Sequence, residues 1–545
     1  MKRDKGTKKD LSRRDFIKTT AVGAGATILA GLDAKDAQAK DIPLIDHWDK
    51  EADVVVVGYG GAGAVTAITA HDAGAKVLVL EKAPIEGGGC TRMAGGQAAF
   101  IDPKDAAGAA EYLYTGSFGT TPMDVCQAWA EEIANNDDWL TGMGLKWMKM
   151  GVRPGFKYNA DFQNFPGAYA LKLLAITGGG PGFFKAMNQH IQKRGIEILF
   201  DAPGTDLIQD PTTKEILGVK AKSKGKDINI KAGKAVVLCT GGFDFNEEMK
   251  NNYLRPYPIK FVSWRYNTGD GVKMAQAVGA DLWHMNVIAS AGQTIVSPVS
   301  EIGWMYTRAQ GDSHIWVNRY GKRFACESPL WFDHRASMGY AIWDWSDTQK
   351  DAGYSCIPFY LIFDETTRLA GPIGGGFGSQ MGACSIPAEL GGISETWSKD
   401  NSREIGLGWI KKGSTIKELA AALGAQIDPA LLEETVTGWN GFCAAGEDLD
   451  FGRSEKLAPI EKPPFYGVEM YPGGFNTCGG PRKNGKAQVL DTKKNPIPRL
   501  YTAGVLGSTA GNIYSLAGHN WAEFLAFGRI AGRNAAAEKP WVQDI

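Results

Sequence analysis

The chain contains no Cys-x-x-Cys pair. Its eight cysteines, at 90, 126, 239, 326, 356, 384, 443 and 478, are scattered. That spacing offers no c-type haem attachment and no zinc or iron–sulfur cradle, so no metal is expected. Disulfides are not demanded either. An excess of one charge is also missing: 59 lysines and arginines face 60 aspartates and glutamates, a formal net charge of −1. With no basic stripe beyond the first residues, no nucleic-acid partner is expected. Internal repeats and low-complexity linkers are absent, and the apolar run from Ala21 to Leu32 is too short to cross a bilayer. Glycine is what abounds. Its 70 copies follow no period, which points to many places of close backbone approach. The 545 residues suffice for two packed domains.

The first forty residues read as a targeting segment. A lysine-rich start leads to Ser12-Arg13-Arg14-Asp15-Phe16-Ile17-Lys18, then the apolar run, then the small-x-small site Ala37-Gln38-Ala39. Cleavage there sets the mature start at Lys40. SRRDFIK resembles the twin-arginine signal, read by a route that exports folded, cofactor-loaded proteins. The expectation is a periplasmic protein that does not span the membrane and acquires its cofactor before export.

Asp53 to Val57 is a β-branched run suited to a buried parallel strand. It ends in Gly58-Tyr59-Gly60-Gly61-Ala62-Gly63, followed by the helical AVTAITAHDAGA and a second strand, KVLVLEK, with Glu81 at its carboxyl end. Strand, glycines, helix, strand and an acid about twenty residues on form a dinucleotide signature. The glycines admit a pyrophosphate to the helix N-terminus, and Glu81 accepts from a ribose hydroxyl. Two distant strands, Lys234 to Phe243 and Pro498 to Gly504, also end in glycine. Several glycine-ended strands around one crevice suit a long, extended cofactor, FAD.

Further segments carry a family resemblance. They are Glu81-Lys82-Ala83-Pro84 leading to Gly87-Gly88 and Ala94-Gly95-Gly96; Thr268-Gly269-Asp270-Gly271; Val317 to Phe324; Gln488 to Gly504; and the terminal FGRIAG. From residue 51 to the end, this set resembles the flavoprotein subunit family of fumarate reductase and succinate dehydrogenase. That family includes the 3-ketosteroid dehydrogenases and related enone reductases. The resemblance implies an α/β fold, an FAD-binding Rossmann-like domain of the glutathione-reductase type interrupted by an α+β capping domain. The flavin domain is expected at 40–285 and 463–545. The cap, at 286–462, excludes water from the reduced flavin. Contacts to FAD are expected from Gly58, Gly60, Gly61, Ala62, Gly63, Glu81, Lys82, Gly87, Gly88, Cys90, Gly95, Gly96, Thr240, Gly241, Gly242, Asp270, Gly504, Asn520 and Trp521. The segments that normally carry a covalent flavin bond hold no histidine, so the FAD is expected to be non-covalent.

Fumarate reductases grip a dicarboxylate with arginine and histidine. Where that family reads H-H-T-M-G-G, this chain has Phe475-Asn476-Thr477-Cys478-Gly479-Gly480. The carboxylate-binding arginine falls on Ser515, and the histidine of the cap falls near Ala291. Three losses together argue against fumarate. Ketosteroid dehydrogenases instead carry Tyr-x-x-x-Gly at a fixed distance before the terminal Phe-Gly, and Tyr514 and Gly518 match it. A phenol and a backbone amide aimed at one carbonyl would stabilise a developing enolate.

For the proton step, Arg335 stands where the family has its catalytic arginine, with His334 or Tyr306 as substitutes for a missing relay glutamate. His284 is read as a packing histidine, and His519 as a flavin neighbour rather than a base. The chain is therefore expected to be an exported FAD-dependent oxidoreductase that reduces an α,β-unsaturated carbonyl compound or runs the reverse dehydrogenation. It encodes no second redox centre, so its partners are a small enone or enoate substrate and a separate cytochrome c or quinol system. The rivals are a fumarate or aryl-acrylate reductase using Arg308 or Arg335 for the carboxylate, and a non-catalytic exported flavin electron carrier.

Overall fold

The computed structural model describes residues 45, 47–153, 155–295, 304–306, 309–327, 354–374, 397–424 and 426–541. Arg335, His334 and Arg308 lie outside them, and for Tyr306 only the backbone is described. The unit treated below runs from Trp48 to Ile545.

An eight-stranded sheet forms the first layer. Its spine runs Gln488–Leu490, Pro496–Thr502, Lys226–Leu238, Lys50–Val57, Val77–Leu80, Glu197–Leu199. The last five of these pair in parallel. Gly204–Gln209 and Ile216–Ser223 join as an antiparallel extension on Lys226–Leu238. Val54, Val55 and Val56 are fully buried, as a parallel strand covered on both faces requires. On one face the helix Gly61–Asp72 packs against the long terminal helix His519–Ala537. A Cβ at Gly528 would come 3.0 Å from Val65 Cβ, so the glycine seam of FGRIAG sets this approach.

The second sheet has seven strands centred on Phe465–Thr477. Ile288–Ile295, Phe359–Asp364 and Ile410–Gly413 pair with it antiparallel, and Lys260–Phe261 in parallel. Alternation decides its two faces. Phe359, Leu361 and Phe363 point into one cluster with Val468 and Met470. Tyr360 and Ile362 point into another with Leu419 and Trp439, from the helices Ile416–Leu423 and Pro429–Ala445. Beside the latter, the buried Arg323 guanidinium meets Glu327 and Asp448, each at 2.9 Å.

One more buried ion pair ties the terminal helix to the segment after the second sheet. Lys483 Nζ lies 2.5 Å from Glu523 Oε1, with both side chains fully buried. Thr509 Oγ1 donates to the other Glu523 oxygen at 2.5 Å, and the ammonium sits 4.0 Å from the centre of the Phe527 ring. Removing either ion would strand a buried charge, which costs several kcal/mol. Among the described residues, none of the seven cysteines forms a disulfide.

Candidate functional site

The carboxyl ends of the parallel strands open on one long cleft of about 1570 Å³, the solvent at its mouth included. The first strand ends at Gly58, where φ is +104° and a Cβ would come 2.4 Å from the Cys239 carbonyl oxygen. Only glycine fits between the two strand ends. Gly60 then caps the helix Gly61–Asp72 without a side-chain cap, so the helix start faces the cleft. Such a start, with its exposed amides and positive dipole end, is suited to a phosphate. The next strand delivers Glu81, which is buried and accepts amides from Tyr59 at 2.9 Å and Ala83 at 2.7 Å. Burial pushes its carboxyl above the ordinary range. Lys82 Nζ donates to Thr268 Oγ1 at 2.5 Å and Asp270 Oδ2 at 2.8 Å.

The donor set fits FAD by one independent sign. Thr240 Oγ1 lines the cleft, is buried, and has no partner among the described residues. A cofactor hydroxyl or phosphate there would satisfy it. Gly58, Gly60, Gly61, Ala62, Glu81, Lys82, Cys90, Gly95, Thr240, Gly241, Asp270, Gly504, Asn520 and Trp521 all line the same cleft. Gly63, Gly87, Gly88, Gly96 and Gly242 do not. A Cβ at Gly96 would run into Gly179 and one at Gly242 into Thr477 Oγ1.

Tyr514 and Gly518 reach the cleft together with Asn476 and Phe475. The phenol oxygen accepts the Asn520 amide at 3.1 Å, one of the unshared amides at the start of the terminal helix. Burial raises the phenol well above its usual range, so the hydroxyl stays protonated and is a donor. Gly518 caps that helix at φ +77°. Asn520 Nδ2 donates to Asn476 Oδ1 at 2.9 Å. Ser515 does not line the cleft: its hydroxyl packs against Gly116, and its backbone carbonyl accepts from Tyr112 Oη at 2.5 Å.

Lys82 is the only cation lining the cleft among the described residues, and it is paired with Asp270. No group of three metal ligands occurs among them either.

One hub escaped the sequence reading. Asp244, fully buried, accepts from Ser263 Oγ at 2.6 Å, Asn267 Nδ2 at 2.8 Å and the Thr477 amide at 2.7 Å. It joins the turn after Lys226–Leu238 to the second sheet and supports Cys90, whose Sγ lies 2.8 Å from Ser263 Oγ. A charged residue two places after a glycine pair, in GGFDFN, was the available signal.

The histidines are structural neighbours of the site. His284 stacks on Trp283 at 4.4 Å, and its Nδ1 donates to the Ser508 carbonyl at 2.8 Å. His519 stacks on Trp129 at 5.4 Å and meets the Thr509 hydroxyl at 3.3 Å, behind the cleft wall rather than in it.

A family model described as "FAD binding domain" matches residues 53–520, and one for the twin-arginine translocation signal sequence matches residues 10–30. The chain belongs to this FAD-binding family. Among its relatives is the digoxin reductase of Eggerthella lenta, 27% identical over 598 residues, covering 98% of this chain and 99% of that one. Another is a fumarate reductase (cytochrome) of Shewanella frigidimarina, 31% identical over 516 residues, covering 92% of this chain and 80% of that one. The fold is similar to the solved structure of a 3-ketosteroid Δ1-dehydrogenase from Sterolibacterium denitrificans. The TM-score is 0.70 at 22% identity, over 90% of this chain and 100% of that one. The protein is thus an FAD-dependent oxidoreductase of the fumarate reductase flavoprotein family, exported by the twin-arginine route to the periplasm.

Burial disfavours the imidazolium of both His284 and His519 and lowers each to about 4. The unfolded chain takes up these protons near the ordinary value of about 6.5, whereas the folded chain resists them until about 4. Their contribution to stability is therefore complete above the ordinary value and is lost as pH falls through the window. It is on the order of 3 kcal/mol for each histidine. Melting temperature is expected to hold steady at neutral pH and drop as the buffer is acidified through that window, with a shallower drop in His519→Gln. A wild-type melting temperature unchanged across the window would contradict the assignment.

Proposed function

We propose that the protein reduces an α,β-unsaturated carbonyl compound, the saturated product's dehydrogenation being the same chemistry reversed. The single observation that carries this reading is the position of Tyr514, which lines the cleft with Gly518 and whose phenol oxygen accepts the Asn520 amide. FAD, once bound and reduced by two electrons from the external donor, would supply hydride chemistry to the carbon β to the carbonyl. Tyr514 and the Gly518 amide donate to the carbonyl oxygen, where negative charge grows as the enolate forms. Holding the phenol oxygen from behind, the Asn520 amide favours the hydroxyl as donor toward the substrate. A proton completes the α carbon. Arg335 is assigned to that step on family resemblance, with His334 or Tyr306 maintaining its protonation. Residues 286–462 are assigned as the cap.

The substrate is a carbonyl compound without obligatory dicarboxylate character. Asn476 stands in the cleft where a cation would be needed, and Ser515 is withdrawn from it. Electrons come from a separate cytochrome c or quinol system.

FAD is bound without a covalent link. No histidine lines the described part of the cleft, and the cleft thiol of Cys90 is pushed up to about 12 by burial and by Asp244, which suppresses the thiolate needed for attack. Acid precipitation is expected to leave the yellow chromophore in the supernatant; colour retained in the pellet would overturn this point.

Tyr514→Phe removes one donor and keeps the ring. Turnover of an enone is expected to fall about a hundredfold, the scale of losing one oxyanion-hole donor, roughly 3 kcal/mol. FAD content and melting temperature should barely move. Near-normal turnover in Tyr514→Phe, with Arg335→Lys inactive, would show that the carbonyl is held elsewhere.

A further inference from the structure

Asp244 is a fully buried acid that the reaction proposed above does not use. Its Oδ1 accepts the Thr477 amide at 2.7 Å and the Thr477 hydroxyl at 2.9 Å. Its Oδ2 accepts from Ser263 Oγ at 2.6 Å and from Asn267 Nδ2 at 2.8 Å. Four donors on one carboxyl, two to each oxygen, favour the ionised form. Among the described residues no lysine, arginine or histidine pairs with it, so its charge is held by dipoles without a counter-ion.

This charge stands directly behind the cleft wall. Asn267 and Cys90 both line the cleft, and both touch the carboxylate, Cys90 Sγ lying 3.9 Å from Oδ2. Thr477, the third contact, follows Asn476, which lines the cleft and accepts from Asn520 Nδ2 at 2.9 Å. Asp244 thus backs the wall from Asn267 and Cys90 to Asn476, beside the end where Tyr514 and Gly518 lie. Nothing in that wall offsets it. Lys82, the one cation lining the cleft among the described residues, is already paired with Asp270. A buried charge of this kind is poorly screened, so it acts well beyond its own contacts.

We propose that the Asp244 carboxylate sets the redox potential of the bound FAD, lowering it by holding an uncompensated negative charge behind the cleft wall. Two electrons from the external donor enter the cofactor and leave together as hydride to the carbon β to the carbonyl, while a proton adds at the α carbon. Negative charge beside the cleft opposes the first transfer and favours the second. The cofactor, once reduced, is then the stronger hydride donor, which favours saturating the activated C=C bond over forming it. That consequence for direction rests on the carbonyl-reduction reading above; the effect on the potential rests only on FAD binding.

Spectroelectrochemical titration of the FAD-loaded protein reads the midpoint potential, and Asp244→Asn removes the charge while keeping the side chain's shape. In mildly alkaline buffer the Asp244→Asn potential is expected to lie above wild type. The expected size is about tenfold in the equilibrium constant for two-electron reduction, or about 30 mV. Burial works against the four donors and lifts the Asp244 carboxyl above its ordinary range. As the buffer is acidified the wild-type carboxyl takes up a proton and loses its charge, so the two potentials should converge. The titratable groups facing it are the Cys90 and Cys478 thiols, both pushed up by burial and by Asp244 itself, so neither adds a charge in this range. Ser263→Ala keeps the acid but removes one donor to its ionised form. Its potential should match wild type in alkaline buffer and, on acidification, rise toward that of Asp244→Asn at a higher pH than wild type does.

Equal potentials for wild type and Asp244→Asn in alkaline buffer overturn the proposal. So does a gap that stays constant with pH, which would mean that Asp244 acts through geometry rather than charge. If Asp244→Asn does not load FAD, Ser263→Ala decides alone, and a curve superimposed on wild type overturns the proposal. No readout depends on turnover, so a failed shift leaves the Tyr514 reading standing. Conversely, a Tyr514→Phe enzyme of normal turnover leaves the potential shift untouched.

Discussion

Parallel pairing of Lys50–Val57 with Lys226–Leu238, and of the latter with Pro496–Thr502, is the constraint on which the site depends. Parallel strands end at one edge of a sheet, so turns far apart in sequence converge there. Gly58, Thr240 and Gly504 meet along one cleft for this reason. The approach is so close that the Cys239 carbonyl occupies the space a Gly58 side chain would need. The terminal helix then closes the cleft from a fourth place in the sequence, bringing Tyr514 and Gly518 to the edge that the glycines define.

Two buried polar networks hold these parts in register. Asp244 links the second strand end to the strand Phe465–Thr477 of the other sheet. Lys483 and Glu523 anchor the terminal helix, with Thr509 and His519 drawn in beside them. Neither network gains much net stability, because desolvating the ions offsets their attraction. Their effect is geometric: each has one arrangement that leaves no charge stranded. A cleft that holds an extended cofactor benefits from that rigidity.

The dinucleotide half was legible because its chemistry is local: glycines at a strand end, a helix start and an acid lie within one stretch of chain. Glu81 and Lys82 were expected at a cofactor cleft on this ground, as was the Tyr514–Gly518 pair, whose spacing is fixed by one turn into one helix, and all four line the cleft. Asp244 was not found, since its partners Ser263, Asn267 and Thr477 come together only in the fold. Gly63, Gly87, Gly88, Gly96 and Gly242, also expected at the cofactor, are not among the residues that line the cleft.

The central claim is that the cleft serves a neutral activated carbonyl rather than a dicarboxylate. It is tested most directly by reducing the FAD-loaded protein with dithionite under anaerobic conditions and mixing it with excess cyclohexenone or fumarate. Flavin absorbance reports re-oxidation on the stopped-flow timescale. The account predicts that cyclohexenone re-oxidises the flavin about a hundredfold faster or more, because unpaired carboxylates would cost several kcal/mol each to bury. Re-oxidation by fumarate as fast as by cyclohexenone would contradict it.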